Sequence, residues 1–549
     1  MALADEQRDD LSPESEIVRA GSTSKSVSIN ESLVVTPDVH GAGTKIERAR
    51  SAYEAYAGHG ERPSKLEVFG WCFYGLCSYF IHTVLIPIVF PLIIAHIASS
   101  EMTYDDQLMR VRLNGSDCSP SEMLLYQRLT KRTITVHNSN YSPLEWTSIS
   151  WALGLILAAP TLAFTSILLD RGPHQTVIAT AATAMGAIFC LPTGLFRTVW
   201  TFPPYIAIIT AASTVAASYH TRHLGLMVRG FTGTALDKTQ FPIRRAASSW
   251  LSLSAAAGGS LGAAVISSFA YHMLKEKDKL MSLWIVSIFS GLKWLLGILH
   301  FVTSNRFSSS PPPISTSHAF SVFKYPHAIG TLAGIFLSSL TTMCIFTGAV
   351  LFLAGKICFK PKNLLYFWLT YFIFPVVSLP LSHPLQHAIK SNAVKMQLLG
   401  FFLSAITAGV GFYYRKLHWE THQILFFAAV QGSSTGILYA FGRVLMLDCS
   451  PAGKEGAFSS WFSWVRVLGS FVGFAIAAGK PGKVGFSFGV SFVAAISAMV
   501  VLIFGNVSDF GGAIAAGHVI DEEGSNGGEE GSPVNGVDSG GVEKLPLRE

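Results

Sequence analysis

Phe458-Ser459-Ser460-Trp461-Phe462-Ser463 opens one long apolar run of this sequence, and Ala247-Ser248-Ser249-Trp250-Leu251-Ser252 opens another, 211 residues earlier. The same offset relates three further residues to equivalents that follow a different apolar run: Pro173, Gln175 and Ile178 to Pro384, Gln386 and Ile389. One hexamer of Ser, Trp and small residues recurs by chance in helical membrane chains. Agreement at two separate places with one offset favours an internal repeat.

Each hexamer is followed by two glycines one helical turn apart, Gly258 with Gly262 and Gly469 with Gly473. Glycines at this spacing allow the backbones of neighbouring helices to approach closely. A weaker match has an offset of 220 and joins these residues: Ser213, Thr214 and Tyr219 to Ser433, Ser434 and Tyr439. Different loop lengths in the two halves would absorb the shift.

Twelve apolar runs are long enough to cross a membrane, because a span needs about 20 mainly apolar residues at about 1.5 Å of rise each. The predicted spans are 67–97, 148–169, 175–196, 204–226, 246–272, 281–303, 327–355, 364–381, 393–414, 422–446, 457–479 and 484–505. A repeat of six spans implies two six-helix bundles with a cavity between them at mid-membrane. The sequence therefore predicts an all-α membrane protein of two pseudo-symmetric halves.

The composition agrees with this class, since only 13% of the 549 residues are charged and half are apolar. The charges concentrate in the tails, which gives five predicted regions. These are a disordered N-terminal tail (1–66), a first bundle (67–303), a central linker (304–326), a second bundle (327–506) and a disordered Gly-rich acidic tail (507–549). The acidic start, Asp5-Glu6, is unlike a cleaved presequence. The sequence contains no long Lys/Arg block of the kind that would indicate a nucleic-acid partner.

A polar loop at 99–146 joins the first two spans and contains two sequons, at Asn114 and Asn140. Use of either would place this loop on a non-cytoplasmic side. Cys118 and Cys358 are predicted to lie on that same side, so a disulfide between them is an open alternative. The other cysteines fall in apolar runs, where a thiol behaves as a small hydrophobe.

Ser166-Ile167-Leu168-Leu169-Asp170-Arg171-Gly172-Pro173-His174, after the second span, resembles the Gly-x-x-x-Asp-Arg-x-Gly-Arg-Arg signature of the major facilitator superfamily. The match is partial. Ser166 replaces the first glycine, one residue is missing before Gly172, and the final basic pair is absent. The resemblance implies a cytoplasmic signature loop and two cytoplasmic termini, whereas the Lys/Arg balance of the loops leaves orientation undecided.

Within that superfamily, two short segments look like the autophagy-related vacuolar effluxer branch. They are Trp71-Cys72-Phe73-Tyr74-Gly75 and Pro451-Ala452-Gly453-Lys454-Glu455-Gly456-Ala457-Phe458, together with the long first loop. The resemblance implies amino-acid efflux from a vacuole or another endomembrane compartment, and leaves the plasma membrane open.

Ionisable residues within spans are functional candidates because they are costly in lipid. No Asp or Glu lies near the middle of a predicted span, which argues for facilitated diffusion or for proton coupling through histidine. His82 lies halfway along the first span and is the candidate for that role. The alternative is a neutral histidine hydrogen-bonded to a neighbouring helix.

Uncharged polar and aromatic side chains are predicted to line the cavity and to bind the solute. They are Tyr74, Tyr79, His82, Trp151, Thr341, Thr342, Gln431, Ser433 and Ser434. Such a surface suits a small amphiphilic solute, such as a neutral amino acid. The alternative for each Ser or Thr is a hydrogen bond that joins two helices.

Six charged residues at span ends form a predicted cytoplasmic gate: Asp170, Arg171, Arg222, Arg443, Asp448 and Glu455. The N-terminus of the eleventh span carries a partial positive charge that the Asp170 carboxylate could meet across the interface between halves. The alternative is that these charges only anchor helix ends in the headgroup region.

No nucleophile elbow, phosphate-binding loop or metal-binding histidine pair occurs, so we expect neither enzymatic activity nor a cofactor. The expected function is secondary transport or facilitated diffusion of a small organic solute by alternating access, by a protein that we expect to be monomeric in the bilayer. The alternative is a non-transporting receptor or scaffold on the same fold.

Overall fold

The computed structural model describes residues 62–98, 120–171, 174–233, 236–274, 279–304, 318–355, 357, 361–415 and 419–520. Within these ranges, twelve helices are long and apolar enough to cross a membrane, which confirms the predicted all-α membrane class. The helices are α1 (Lys65–Ala98), α2 (Pro143–Arg171), α3 (Gln175–Gly194), α4 (Val199–Thr232), α5 (Phe241–Leu274), α6 (Leu280–Thr303), α7 (Pro326–Gly355), α8 (Pro361–Ala388), α9 (Ala393–Tyr413), α10 (Thr421–Asp448), α11 (Glu455–Gly479) and α12 (Val484–Phe504).

Prolines bend these helices without ending them. Helix α8 runs beyond its predicted limit of 381 although Pro375, Pro380 and Pro384 lie inside it. In α1, Ile81–Val89 forms a π-helical segment that contains Pro87. Proline lacks an N–H donor and clashes with the preceding turn, so the widened segment accommodates it. This segment also carries His82.

The contacts among helices repeat in the two halves. Helix α1 packs on α5, α2 on α4, α3 on α4 and α3 on α6, and the helices six positions later pack in the same pairs. The contacts between halves are also symmetric, because α5 meets α8 as α2 meets α11, and α4 meets α11 as α5 meets α10. The described helices therefore form two related six-helix bundles.

The four predicted packing glycines lie where helix backbones touch. Gly258 and Gly262 of α5 face the backbone carbonyls of α1 at Cys72 and Leu76, and a Cβ on Gly262 would collide with the Leu76 carbonyl. In the second half, Gly469 and Gly473 of α11 face α7 in the same way, at Phe336 and Leu340. A side chain at Gly262, Gly469 or Gly473 would force the two helices apart.

Two regions outside the spans are more ordered than we predicted. The long loop contains the helix Pro120–Thr130 and an antiparallel hairpin of β1 (Ile134–Val136) and β2 (Ser139–Tyr141). Part of the C-terminal tail, expected to be disordered from 507, forms the helix Asp509–Ala515 and the strand β4 (Val519–Ile520). Strand β4 pairs in parallel with β3 (Leu236–Asp237), and Asp509 pairs with Arg245 at 2.9 Å.

Asn140 of β2 is exposed. Asn114, Cys118 and Cys358 lie outside the described residues, as do 1–61 and 521–549.

Candidate functional site

A cavity of about 50 Å³, here called the central cavity, lies where the two halves meet. Helix α1 lines it from the first half, and α7, α8, α10 and α11 line it from the second. Its lining residues are Tyr79, His82, Thr83, Ile335, Ser338, Ser339, Thr342, Met343, Phe346, Tyr371, Phe372, Thr435, Leu438, Tyr439, Gly442, Phe462, Arg466 and Ser470. The lining combines hydroxyl groups with apolar side chains, so the surface is amphiphilic.

His82 connects the central cavity to the interior of the first half. Its Nε2 lies 2.8 Å from the Ser213 hydroxyl on α4, and its ring stacks on Trp151 of α2 at 6.1 Å between centroids. Its Nδ1 has no hydrogen-bond partner among the described residues. The neighbouring-helix contact that we gave as the alternative is therefore present.

Among the described residues that line the central cavity, Arg466 is the one Lys or Arg, and we did not predict it. It lies near the middle of α11, and its guanidinium carbon lies 4.7 Å from the centre of the Tyr439 ring. No Asp or Glu is among the lining residues named above. The sequence did contain a signal, since an arginine in the middle of an apolar span is a functional candidate by the same rule that we applied to carboxylates.

Arg443 of α10 contacts Ser252 of α5 across the interface between the halves. It is fully buried, and it donates from Nε to the Ser252 hydroxyl at 3.0 Å and from Nη2 to the Ser252 carbonyl at 2.9 Å. Its guanidinium also lies over the rings of Trp71 and Tyr439. Arg443 lies more than one turn inside α10 and Arg222 more than two turns inside α4, so neither is at the helix end where we placed it, and the role of Arg443 in the gate stays a prediction.

A side cavity adjoins the central cavity and shares Tyr79, His82, Tyr439 and Arg466 with it. The shared residues connect the two spaces around the Tyr439 ring. The remaining lining residues of the side cavity include Tyr74, Ser213, His220 and Arg443.

The predicted solute-binding residues separate into four groups. Tyr79, His82 and Thr342 line the central cavity, and Tyr74 lines the side cavity. Trp151 is buried behind His82 and also contacts Phe474 of α11.

The other four do not line the central cavity, and sequence spacing alone did not show which way they face. Gln431 borders a separate apolar cavity and bonds to Thr407 and Ser404, and Ser434 lies 2.7 Å from the Ser404 hydroxyl on α9. Ser433 accepts a hydrogen bond from Ser378 of α8 at 2.8 Å, and Thr341 is fully buried. Ser433 and Ser434 thus join helices, as our alternative had it.

Asp170 lies at the end of the interface where α2 ends and α11 begins. Its carboxylate accepts hydrogen bonds from the backbone N–H groups of Gly456 at 2.6 Å and Ala457 at 3.1 Å. It also lies 2.7 Å from Nε2 of His318 and 3.5 Å from Nε of Arg222. A helix N-terminus presents free N–H groups and a partial positive charge, so it binds a carboxylate well.

Two more ion pairs cross between the halves at this end. Arg229 of α4 pairs with Glu455 of α11, and Arg244 of α5 pairs with Asp448 of α10 at 3.3 Å. We call the region formed by Asp170, Arg222, Arg229, Arg244, Asp448 and Glu455 the charged end. The side chain of Arg171 lies outside what the structure describes, so its predicted part in the gate stays a prediction.

Two titratable groups beside the charged end lie outside the spans. Burial lowers the pKa of Lys454, and Lys324 lowers it further while Asp170 raises it. Burial also lowers the pKa of His518 well below its ordinary value of 6.5, and Arg244 and Arg229 add to that effect. His518 is therefore neutral in the folded protein near neutral pH.

At the opposite end, residues of both halves belong to one large apolar cluster that continues toward the centre of the molecule. Val89 and Ile93 of α1 belong to it together with Leu353 of α7 and Trp368 of α8. Tyr126, on the short helix Pro120–Thr130, covers Gly355 at the end of α7. We call this region the apolar end.

No protein-family model matches the chain, and no curated protein matches it significantly. The site is therefore interpreted from its own geometry.

Proposed function

We propose that this protein is a secondary transporter or facilitator of the major facilitator type, which moves a small organic solute by alternating access. The observation that carries the proposal is the position of the central cavity. Both halves line it, and contacts of different chemistry join the halves on either side of it. Transporters built from repeats bind their solute at this place.

The ion pairs of the charged end supply the conformational part of the proposal. Asp170 and the N-terminus of α11 belong to different halves, so their contact exists only when this end is closed. An interaction confined to one state raises the population of that state by its differential free energy. Separation of the halves at the charged end would break this contact and open the cavity on that side.

The resemblance of residues 166–174 and of the two shorter segments supports the remaining parts of the proposal. It implies that the charged end faces the cytoplasm and that the protein belongs to a vacuolar or other endomembrane. Efflux toward the cytoplasm would then require the charged end to open with solute bound.

Uptake into proteoliposomes tests the proposal directly. The purified protein is reconstituted and given a panel of labelled amino acids and organic acids, with and without a pH gradient. We expect saturable flux of at least one solute. Saturable binding without flux would instead favour the non-transporting receptor or scaffold.

A matched pair of variants links that flux to the central cavity. Thr342→Leu enlarges a side chain in the cavity lining, whereas Thr161→Leu makes the same change outside it. Both hydroxyls bond to carbonyls of their own helix, at Ser338 and Leu157, so the local helix loses the same bond in each variant. We expect Thr342→Leu to reduce flux by at least about tenfold and Thr161→Leu to leave it unchanged, since overpacking costs roughly 1–3 kcal/mol. Equal effects of the two variants on flux would show that the solute does not pass through the central cavity.

A proton step, if present, is expected at His82, since no carboxylate lines the central cavity. His82→Ala should then remove any dependence of flux on a pH gradient. Strict proton coupling that survives this substitution would contradict the expectation.

A further inference from the structure

We propose that the solute of the central cavity is a small organic anion whose carboxylate binds Arg466 and whose apolar part lies against the apolar side chains of Met343, Phe346 and Phe372. This inference rests on the proposed function and names the solute class for the same site. It replaces the neutral amino acid that the sequence suggested.

The position of Arg466 is the first observation. Its side chain is half-buried and lines both the central and the side cavity. A guanidinium inside the membrane region is costly unless an anion or several hydrogen bonds compensate it. Its contact with the Tyr439 ring compensates only part of that cost.

The buried carboxylates of the interface are occupied elsewhere. Asp170, Asp448 and Glu455 pair at the charged end, and Asp509 pairs with Arg245. Glu67 lies 2.9 Å from His223. Among the described residues that line the central and side cavities, none is an Asp or a Glu, so the chain supplies no carboxylate there.

Arg443 adds a second positive charge to the same place. Its guanidinium carbon lies 5.0 Å from the centre of the Tyr439 ring, on which Arg466 also lies at 4.7 Å. Nε and Nη2 of Arg443 donate hydrogen bonds to Ser252. Nη1 of Arg443 is buried and has no hydrogen-bond partner within the described part of the chain. Two guanidinium groups around one ring produce a positive potential that attracts an anion.

The rest of the lining favours an organic anion over other classes of solute. A neutral amino acid carries an ammonium group, which would lie near two arginines without a carboxylate partner. An inorganic anion would leave the apolar wall of Met343, Phe346 and Phe372 unused. A carboxylate with a short apolar body satisfies both surfaces, and guanidinium recognises carboxylate in a bidentate geometry.

The size of the central cavity limits that body. A water molecule needs at least about 10–15 Å³, so a cavity of about 50 Å³ admits only a few water-sized groups. We therefore expect a short-chain monocarboxylate.

Three solutes of nearly equal size test the inference: 2-hydroxybutyrate, its neutral amide 2-hydroxybutyramide, and the zwitterion 2-aminobutyrate. Thermal unfolding of the purified full-length protein measures binding, because a ligand that binds only the folded state raises its Tm. Uptake of the same three labelled compounds into proteoliposomes measures transport.

We expect 2-hydroxybutyrate to raise the Tm at a concentration at least about tenfold lower than either of the other two compounds needs. Arg466→Gln should weaken that effect by at least about tenfold, since hydrogen bonds to charged groups contribute that much. Arg466→Lys should be intermediate, because lysine keeps the charge and loses the planar fork, and it provides a second variant should Arg466→Gln fold poorly. Arg197→Gln, at an exposed arginine between α3 and α4, is the matched control and should behave as the parent protein does.

Three results would overturn the inference: equal stabilisation by the amide or the amino acid, stabilisation by the acid that survives Arg466→Gln, or a Tm shift no larger than that from sodium chloride of equal ionic strength. If the amide or the amino acid is transported, and Arg466→Gln does not reduce that transport, the proposed function stands and this inference is overturned. Arg466-dependent binding of the acid without flux of any compound would support this inference and overturn the proposed function.

Discussion

At the charged end the two halves meet through a few directional contacts, whereas at the apolar end residues of both halves belong to one apolar cluster. Asp170 alone bonds to two backbone N–H groups of α11 and lies near His318 and Arg222. At the apolar end, residues of α1, α7 and α8 share one cluster. Directional contacts concentrate free energy in single side chains, while apolar packing distributes it over many. Single substitutions should therefore change the balance of states more strongly at the charged end.

Asp170→Asn should give the largest effect on that balance. The variant removes the negative charge and leaves Arg222 buried, although the amide oxygen can still accept from the Gly456 N–H group. Breaking a buried charge pair costs about 3–5 kcal/mol, and we expect the lower end of that range here. The charged-end-open population should rise by roughly a hundredfold or more, measured as alkylation of a cysteine introduced in the central cavity. Membrane insertion should be unchanged, and an unaltered alkylation rate would argue against the gate.

Glu455→Gln should act in the same direction with a smaller effect. The Arg229–Glu455 pair is largely buried, and the Gly453 N–H group also donates to the Glu455 carboxylate at 2.8 Å. A double-mutant cycle with Arg229→Gln should give a coupling of about 1–3 kcal/mol in the open–closed equilibrium. Additive effects of the two single variants would show that this pair does not hold the charged end.

Gly262→Leu tests whether packing inside one half influences the balance. The new side chain must displace the backbone of α1 at Leu76, so we expect a loss of about 1–3 kcal/mol of stability, seen as a lower Tm. Gly473→Leu should give a similar loss in the second half, where Leu340 lies in the equivalent place. Gly482→Leu, in a loop where a Cβ would meet no neighbouring atom, is the control. A large change in the open–closed ratio with no loss of stability would contradict the conclusion that these glycines act through packing within one half.

Tyr126→Ala should produce a smaller shift of opposite sign. It removes a half-buried ring that covers Gly355, one contact among many at the apolar end. We expect the population that is open at the apolar end to rise by no more than about tenfold, because the lost packing should contribute only about 1 kcal/mol. A shift as large as that of Asp170→Asn would remove the contrast between the two ends.

Acid should weaken the charged end slightly through His518. The unfolded chain protonates this histidine below a pKa of about 6.5, while the folded protein keeps it neutral because burial and Arg244 lower its pKa. Stability is therefore unaffected above pH 6.5 and falls below it, by at most about 1.4 kcal/mol per pH unit. His518→Gln should flatten the fall of Tm between about pH 6.5 and 5.5. An equal fall in this variant would assign the acid sensitivity to other groups.

The repeat and its glycine pairs could be predicted from the sequence because they depend on local spacing. Gly258 and Gly262 share one face of α5, and Gly469 and Gly473 share one face of α11, because residues four apart are neighbours on an α-helix. The structure places each of these faces against the backbone of another helix. The cavity was predictable only in part. Which way Ser433 and Ser434 point depends on the rotation of α10 against α8 and α9, which no local pattern sets.

Contacts over long sequence distances were the least predictable. His318 reaches Asp170 from a linker 148 residues away, and Asp509 reaches Arg245 from what we expected to be a disordered tail. Arg466 was predictable but was not predicted, because only carboxylates and histidines within spans were treated as candidates. Its apolar neighbours Val465 and Val467 show that it lies inside a span.

The distance between the halves at the charged end tests the central claim most directly. Spin labels at His174→Cys and Lys395→Cys, both exposed and one in each half, report this distance in a cysteine-free background. We expect the parent protein to show one dominant short distance, and Asp170→Asn to transfer much of the population to a distance that is longer by several ångströms. The same single distance in both proteins would contradict the claim that Asp170 holds this end of the interface closed.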